Sequence, residues 1–449
     1  MAPVEGNEGE ELVDGNDNGT PAKDDSERVI TVVAFFSFGF ILYSVYSLLI
    51  AAAEDILRGS DIPTSAVISC IIGPYVLITL VSPYFVQKIP YLPRIIVVFV
   101  LYEVGLFCLV YVSRVETKLL SVCLVSLAFG VGEMSSIAMT SFYNKVIVGV
   151  FSAGTGVGFI TAPLYYTAMT TWFCVSSETT TVTVAGLVVL YLIFYWLMER
   201  KHSKPTTRKP GQLPFDYVQY ETVDQTKSTE NKQDEPSPPL LTTAQKLQAI
   251  KQILPTILCV VISWMSEFLV TQGVITTYAF PNSPFPPRDH YQYYITLFLL
   301  GEFIGRSYLA FVSLIKQEFL PKVMIRKLWL LTVIEVSILV FCLFAAWYRF
   351  LPSVTILLFI SFLAGLIIGI MYANVLQVFT NSYEFPLREF VLGFVAVATG
   401  MGILIAGLLG LVVEPSFRRH CLTITDLSEY CFTRTDPNKL SNITSLCSQ

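Results

Sequence analysis

Ionisable residues inside long apolar stretches are the groups of this sequence best placed to do chemistry. An ionised side chain at the centre of a bilayer costs roughly 2.5–3.5 kcal/mol on insertion scales, so such groups usually face a bundle interior or a water-filled cavity. These residues are Glu103, Glu133, Glu267, Glu302, Arg306 and Glu335. Glu54 and Asp55 lie at the end of the first apolar stretch. The pattern predicts a polar path within the membrane.

Arg306 is the basic member of this set and therefore the natural receptor for an anion. Its planar guanidinium can bind phosphate or carboxylate oxygens in bidentate fashion. Glu302 precedes it by four residues, which is the favourable spacing for an ion pair within one helix. A self-neutralising pair that merely positions the helix is the alternative interpretation.

Two of the acids belong to polar stripes at helical spacing. The stripe around Glu133 contains Ser126, Gly130, Ser136, Thr140 and Asn144. The stripe around Glu267 contains Ser263, Ser266, Thr271 and Gln272. We expect both stripes to line a hydrated central cavity in which Glu133 and Glu267 can carry protons.

Other polar residues within the apolar stretches have two interpretations each. Tyr372 and Asn374, in "GIMYANVLQ", either line the same cavity or form a hydrogen bond between helices. Glu103 and Glu335 occupy matching positions in the two halves of the chain, on helices expected to be peripheral. That location favours hydrogen-bonded structural acids over functional ones.

The composition is that of a protein built largely within a bilayer. The 449 residues are 53% hydrophobic and 14% charged, with a mean hydropathy of +0.61. Continuous apolar runs of about 20 residues recur, which is the length needed to cross the hydrocarbon core. We therefore predict an all-α polytopic membrane protein.

Eleven membrane segments are predicted, in two halves of six and five. They span about 29–53, 64–86, 95–113, 119–141, 146–170, 182–198, 252–274, 291–312, 327–348, 353–377 and 389–413. The six-helix half is 29–198 and the five-helix half is 252–413. The acidic tail 1–28 and the polar stretch 199–251 read as a disordered tail and a flexible linker, and 414–449 is a C-terminal tail.

The two halves resemble each other in sequence. "RIIVVFVLYE" (94–103) matches "RKLWLLTVIE" (326–335), since each begins with Arg and ends with Glu. Segments four and five match segments ten and eleven in the same order, with "AGTGVGF" opposite "VATGMGI". A parallel repeat around a long central linker is the layout of the major facilitator superfamily. The absence of a twelfth segment departs from that layout.

The distribution of basic residues predicts the orientation. Most of the 29 Lys and Arg lie on the side that carries the N-terminal tail and the central linker, so we expect that side to be cytosolic. Eleven crossings then place the C-terminal tail in the lumen. Asn442, in Asn442-Ile443-Thr444, would be a glycosylation acceptor there, and the tail cysteines Cys421, Cys431 and Cys447 could pair.

Enzymatic chemistry finds no support in the sequence. The three histidines lie outside the apolar stretches, which leaves no intramembrane metal site or histidine base. Catalytic and phosphate-loop motifs are not found, nor is a basic and aromatic patch for nucleic acid. We expect no cofactor and no metal.

Seven short motifs together resemble the battenin family of lysosomal membrane proteins. In chain order they are "AAAEDIL", "GEMSSIAMTSFY", "SAGTGVG", "SEFLVTQG", "GEFIGRS", "YANVLQ" and "REFVLG". The resemblance covers nearly the whole membrane core. It implies a major-facilitator-like fold, a lysosomal or late endosomal location, and clearance of glycerophosphodiesters with effects on lysosomal pH and lipid homeostasis.

The resemblance also implies roles for particular residues. Family positions are matched by Asp55, Glu133, Glu267, Gln272, Arg306, Tyr372 and Asn374. Glu54 and Glu302 depart from some relatives. Sorting adaptors would read the linker, through Tyr220 of "YETV" or through Leu240 and Leu241.

The leading functional prediction is a transporter of small organic anions, with Arg306 as anchor and protons as possible co-substrates. The halves would rock about a central site. A carrier of basic amino acids is one alternative, favoured by the excess of intramembrane acids. A membrane scaffold that acts on trafficking through the acidic tail and the linker is the other.

Overall fold

Eleven long helices build the part of the protein that the structure describes. The computed structural model describes residues 28–85, 89–140, 143, 146–198, 243–315, 317–383, 387–424 and 430–433, and these contain no strand. The long helices are α1 Val29–Ala51, α2 Ser65–Phe85, α3 Tyr91–Tyr111, α4 Val115–Thr140, α5 Val146–Thr167, α6 Ser177–Leu197, α7 Thr243–Leu269, α8 Pro287–Ile315, α9 Leu328–Tyr348, α10 Val354–Ser382 and α11 Leu387–Ile424. They correspond one to one with the predicted segments, and the all-α prediction is confirmed.

The helices make this a multi-pass membrane protein. Eight of the described helices are long and apolar enough to cross a bilayer. Helices suit that environment because every backbone group is satisfied within the segment. Ser176 and Ser353 cap the starts of α6 and α10, where their hydroxyls accept hydrogen bonds from Thr179 N and Thr355 N at 3.1 and 3.3 Å.

Two helices extend furthest beyond their predicted membrane segments. Helix α7 begins at Thr243 and α11 runs on to Ile424. Both extensions mix polar and apolar residues, so hydropathy alone does not detect them. Much of the predicted linker, most of both tails, and the predicted sorting residues Tyr220, Leu240 and Leu241 and glycosylation acceptor Asn442 lie outside the described residues.

Helix pairing follows the two-halves organisation. Within the halves, α1 packs mainly on α5 and α8 mainly on α10. Between the halves, α2 packs on α11 and α5 packs on α8. The last two pairs line the junction of the halves, so side chains on α5 and α8 can meet there.

Small residues allow the closest of these helix contacts. A Cβ atom on Gly154 of α5 would lie 2.9 Å from the carbonyl carbon of Phe36 on α1. Real Cβ atoms almost never approach backbone so closely, so a side chain there would push the two helices apart.

We expect Gly154→Ala to lower the free energy of unfolding by about 1–3 kcal/mol, because overpacking a close helix contact forces backbone shifts. Thermal unfolding of the detergent-solubilised protein measures this change. Gly186→Ala on α6 is the matched control, since no atom lies within 4 Å of a Cβ at that position. Equal thermal midpoints for the two variants would contradict the packing argument.

Candidate functional site

Arg306 lies at the junction of the halves and is paired within its own helix. Its Nε donates a hydrogen bond of 2.8 Å to Oε1 of Glu302, and its Nη2 donates to the same oxygen. The predicted ion pair is therefore present. The guanidinium lies 4.1 Å from the ring centroid of Tyr372 and 5.3 Å from that of Phe159 on α5. These contacts hold the cation against both halves.

The two partners of this ion pair differ in exposure. The Arg306 side chain is 27% exposed, whereas that of Glu302 is 2% exposed. The guanidinium can therefore meet a ligand that arrives from water, while the carboxylate is enclosed by protein. An accessible cation with aromatic neighbours is a suitable anchor for a phosphate or carboxylate group.

Glu133 lies on α4 and is held by two tyrosines from neighbouring helices. Tyr43 of α1 donates a hydrogen bond of 2.5 Å to Oε1, and Tyr75 of α2 donates one of 2.9 Å to Oε2. The carboxyl is buried, and Arg306 of the other half is within electrostatic range. Glu133 therefore belongs to the same central region as Arg306.

An aromatic wall connects Glu133 with Arg306. The ring of Tyr43 contacts those of Phe129 and Phe159 at centroid distances of 5.2 and 6.1 Å. Tyr46 stacks on Phe129 at 4.9 Å. Because Phe159 also contacts the guanidinium, these rings form a continuous surface beside the cation.

Glu267 lies fully buried on α7, directly before a break in helix geometry. Residues Val270–Val274 form a π-helix, a feature frequently found at functional sites. Thr271 donates a hydrogen bond of 3.4 Å to Oε1 of Glu267, while Oε2 has no partner among the described residues. Glu302 and Glu335 are within its electrostatic range.

Of the other predicted cavity residues, one contacts Arg306 and the rest form hydrogen bonds within or between helices. Tyr372 lies under the Arg306 guanidinium. Ser136 shares a hydrogen bond of 3.1 Å with Tyr191, and Thr140 donates to its own helix. Asn374 accepts from Ile325 N at 2.6 Å and donates to neighbouring groups, so its amide is occupied by structural contacts.

Gln272 and Asp55 lie away from Arg306, at the end of the bundle where α1 and α11 end. We call this end the tail side. Gln272 accepts a hydrogen bond of 3.0 Å from Tyr291 through its side chain, and its backbone carbonyl accepts one of 2.8 Å from Ser65. The bond from Ser65 connects the two halves, whereas the bond from Tyr291 lies within the second half.

An ion pair and further hydrogen bonds close the tail side. Arg288, at the start of α8, donates to Asp55 at 2.9 and 3.2 Å, and Tyr166 donates to Asp55 at 2.8 Å. Tyr291 and Gln292 donate to the carbonyls of Ile50 and Ala51 at 2.8 and 3.0 Å. The halves are therefore joined at this end.

Two ionisable residues beside Arg288 precede the apolar stretch 291–312. Burial lowers the pKa of His290 to about 4, so the ring is neutral. This state suits its two bonds, in which Nδ1 lies 2.9 Å from the Pro286 carbonyl and Nε2 accepts from Phe280 N. Burial raises the pKa of Asp289 to about 6. Asp289 therefore changes charge between pH 5 and pH 7.

We expect the tail side to close more firmly as the pH falls from 7 to 5. A carboxyl whose pKa is raised in the closed form binds its proton more tightly there, so protonation favours closure. Spin labels at the exposed positions 58 and 282, on opposite halves, report the distance across this end by pulsed electron paramagnetic resonance. Asp289→Asn should remove the pH dependence, and a dependence that survives this change would contradict the assignment.

Residues 430–433, which we call the tail strap, cover the tail side. The Tyr430 carbonyl accepts from Ala279 N at 3.2 Å, and Thr433 N donates to the Thr276 carbonyl at 2.9 Å. The Thr433 hydroxyl donates to Glu54 of the first half as well as to the Thr276 carbonyl. A disulfide between Cys421 and Cys431 ties the strap to α11.

We expect Thr433→Val to destabilise the protein by about 1–3 kcal/mol, because it removes a hydroxyl that serves two buried acceptors. Thermal unfolding and the rate of proteolysis beyond residue 424 measure the effect. Thr423→Val is the control, since that exposed hydroxyl donates to the His420 carbonyl of its own helix and bonds no other described residue. If both variants behave as the parent, the strap does not hold the halves together.

A comparison with known proteins identifies the family. A family model described as "CLN3 protein" matches residues 33–420. The chain belongs to the CLN3 protein family. The predicted resemblance to the battenin family is thereby confirmed.

Two relatives of this chain are proteins named BTN1. Protein BTN1 of Yarrowia lipolytica is 31% identical over 391 residues, which cover 86% of this chain and 94% of the relative. Protein BTN1 of Saccharomyces cerevisiae is 27% identical over 423 residues, covering 88% and 97%. The similarity therefore extends along the whole membrane core.

A solved structure shares the fold. It is a bacterial homologue of the human lysosomal transporter Spinster, in an inward-facing and unoccupied conformation. The TM-score is 0.58 at 14% identity, with 90% of this chain and 85% of that chain covered. The likeness shows the fold alone, and it confirms the predicted major-facilitator-like architecture.

Several residues of the candidate site were not predicted from the sequence. Tyr43 and Tyr75 bind Glu133, Phe159 contacts Arg306, and Arg288 pairs with Asp55. A tyrosine hydroxyl in an apolar helix needs a partner, and that requirement is the signal that could have suggested the first two. Phe159 and Arg288 carry no comparable signal in the sequence.

Proposed function

We propose that this protein transports small organic anions of the glycerophosphodiester class across a lysosomal or late endosomal membrane. The observation that carries this proposal is Arg306, an accessible guanidinium at the junction of two helical halves, flanked by aromatic rings. A phosphodiester has one negative charge and two free oxygens, which suit the guanidinium fork. The rings of Tyr372 and Phe159 beside the guanidinium would suit the quaternary ammonium of a choline-bearing member of this class.

The proposed mechanism is alternating access. The halves are joined at the tail side by the Asp55–Arg288 pair and the tail strap, while Arg306 lies deeper in the bundle. Opening these contacts would admit the anion from the tail side, and closing them would release it to the other side. The membrane fold of the CLN3 family is compatible with such rocking.

The proposed orientation places the tail side in the lumen and the N-terminal side in the cytosol. Cys421–Cys431 is a disulfide on the tail side, and Cys174, after α5, is also disulfide-bonded. Disulfides persist in oxidising compartments, which supports a luminal tail side. Export from the lumen would then link the protein to lysosomal lipid turnover and pH, and glycosylation of Asn442 and adaptor binding to the linker would follow.

Purified protein in liposomes tests the proposal. We expect saturable uptake of labelled glycerophosphocholine, reduced by other unlabelled glycerophosphodiesters and unaffected by arginine. Uptake of labelled arginine alone would favour the basic-amino-acid carrier. Oε2 of Glu267, which has no partner among the described residues, would then be available to a cationic substrate. Uptake equal to that of protein-free liposomes for both compounds would overturn transport and leave the scaffold interpretation.

A further inference from the structure

Glu302 binds the guanidinium of Arg306, which is the group that an incoming anion would also bind. Both Nε and Nη2 of Arg306 donate to a single oxygen, Oε1 of Glu302. A bound phosphodiester must either take over these donors or share the guanidinium with Glu302. In both cases two negative groups would face one cation in a region where Glu302 is 2% exposed. Burying a surplus charge there is costly, because water cannot screen it.

The second oxygen of Glu302 is placed to take a proton. Its Oε2 is buried and accepts no hydrogen bond from any described residue. A buried carboxylate oxygen without a donor costs free energy that protonation relieves. Proton uptake at Oε2 would neutralise Glu302 and leave the whole charge of Arg306 to the anion.

Other ionisable groups surround Glu302 from each helix that faces it. They are Tyr46 of α1, Glu267 of α7, Arg306 of α8, Glu335 of α9 and Tyr372 of α10. Glu335 is fully buried and both of its carboxyl oxygens lack partners among the described residues. Three ionised glutamates in this cluster would leave a large uncompensated charge, and only Glu302 is paired with Arg306, so charge balance favours protons on Glu267 and Glu335.

We infer that Glu302 and the transported anion compete for Arg306, and that one proton moves onto Oε2 of Glu302 when the anion binds. The Glu302–Arg306 ion pair breaks and an O–H bond forms on Glu302. The negative charge of the anion then replaces that of the carboxylate at the guanidinium. Glu267 lies within electrostatic range of Glu302 and donates this proton. Its own O–H bond breaks in that step, and it then regains a proton from the aqueous side. Each anion would therefore cross with one proton. This inference rests on the proposed transport of anions.

Glycerophosphocholine is the probe for the test, because its phosphodiester keeps one negative charge from pH 5 to pH 8. The affinity of the parent protein should fall about tenfold for each unit by which the pH rises, over the range in which Glu302 is ionised before the anion binds. Glu302→Gln should bind with an affinity that does not change with pH, and at pH 7.5 it should bind at least tenfold more tightly than the parent. A dye entrapped in the liposomes should record one proton per anion for the parent and none for the variant.

Glu335→Gln is the matched control and should keep the parental pH slope, because Glu335 makes no ion pair with Arg306 that the anion would have to displace. A parental slope in Glu302→Gln would overturn the inference while leaving anion transport intact. The proton count of the parent protein provides a test that does not depend on folding of the variant, and a count of zero would also overturn it. Failure of the parent to bind or transport any anion would instead overturn the proposed function itself.

Discussion

Replacing Arg306 by alanine should reduce anion uptake by a factor of about 100 or more. Truncating one partner of a buried, hydrogen-bonded charge pair costs about 2–5 kcal/mol, and here the bound anion loses its only intramembrane cation among the described residues of the central site. Arg306→Lys should retain part of the uptake. An ammonium keeps the charge but loses the planar fork and the stacking on Tyr372 at 4.1 Å.

The measurement is the initial rate of labelled glycerophosphocholine uptake into liposomes, over a range of concentrations. Arg326→Ala is the matched control, because Arg326 is exposed, and it should change the rate less than twofold. Arg306→Ala also leaves the buried Glu302 carboxylate without its ion-pair partner, and this unpaired charge can destabilise the protein. The double variant Arg306→Ala/Glu302→Gln removes that charge and should still fail to transport. Parental uptake in the double variant would show that Arg306 is not the anchor.

The sequence is most informative about the membrane architecture. Continuous apolar runs report helix number directly, since a helix is the one simple way to satisfy the backbone in lipid. All eleven predicted segments are helices, and the intrahelical Glu302–Arg306 pair follows from spacing alone. Local rules suffice wherever both partners lie within one helix.

Contacts between helices are where sequence reasoning stops. Nothing in the spacing of α1 or α2 shows that Tyr43 and Tyr75 converge on Glu133, because that meeting depends on how three helices are rotated. Asp55 and Arg288 are similarly far apart in sequence and lie on different halves. Asn374 is a similar case. Its sequence position is compatible with a cavity-lining amide, and only the packing of the helices shows that the amide oxygen accepts from Ile325 N instead.

Replacing Asp55 by asparagine should shift the protein toward a form that is open on the tail side. Arg288 binds the Asp55 carboxylate at 2.9 Å, with the two side chains 31% and 8% exposed. Partial exposure reduces the value of this pair below that of a fully buried one. A loss of about 1–2 kcal/mol changes the ratio of open to closed forms roughly 5- to 30-fold. The Tyr166 hydroxyl keeps an acceptor in the amide oxygen that replaces the carboxylate, which limits damage to folding.

Spin labels at positions 58 and 282 should show a longer distance population in Asp55→Asn than in the parent. Arg288→Gln should give the same change, because either replacement removes the same ion pair. The exchanged variant Asp55→Arg/Arg288→Asp should recover part of the closed population, since the attraction returns with its sign reversed at each position. Arg114→Gln is the control, as it removes an exposed positive charge at the same end of the bundle, between α3 and α4. Identical distance distributions in all variants would mean that the tail side is held closed without Asp55, and the tail strap would then be the element that sets the barrier to opening.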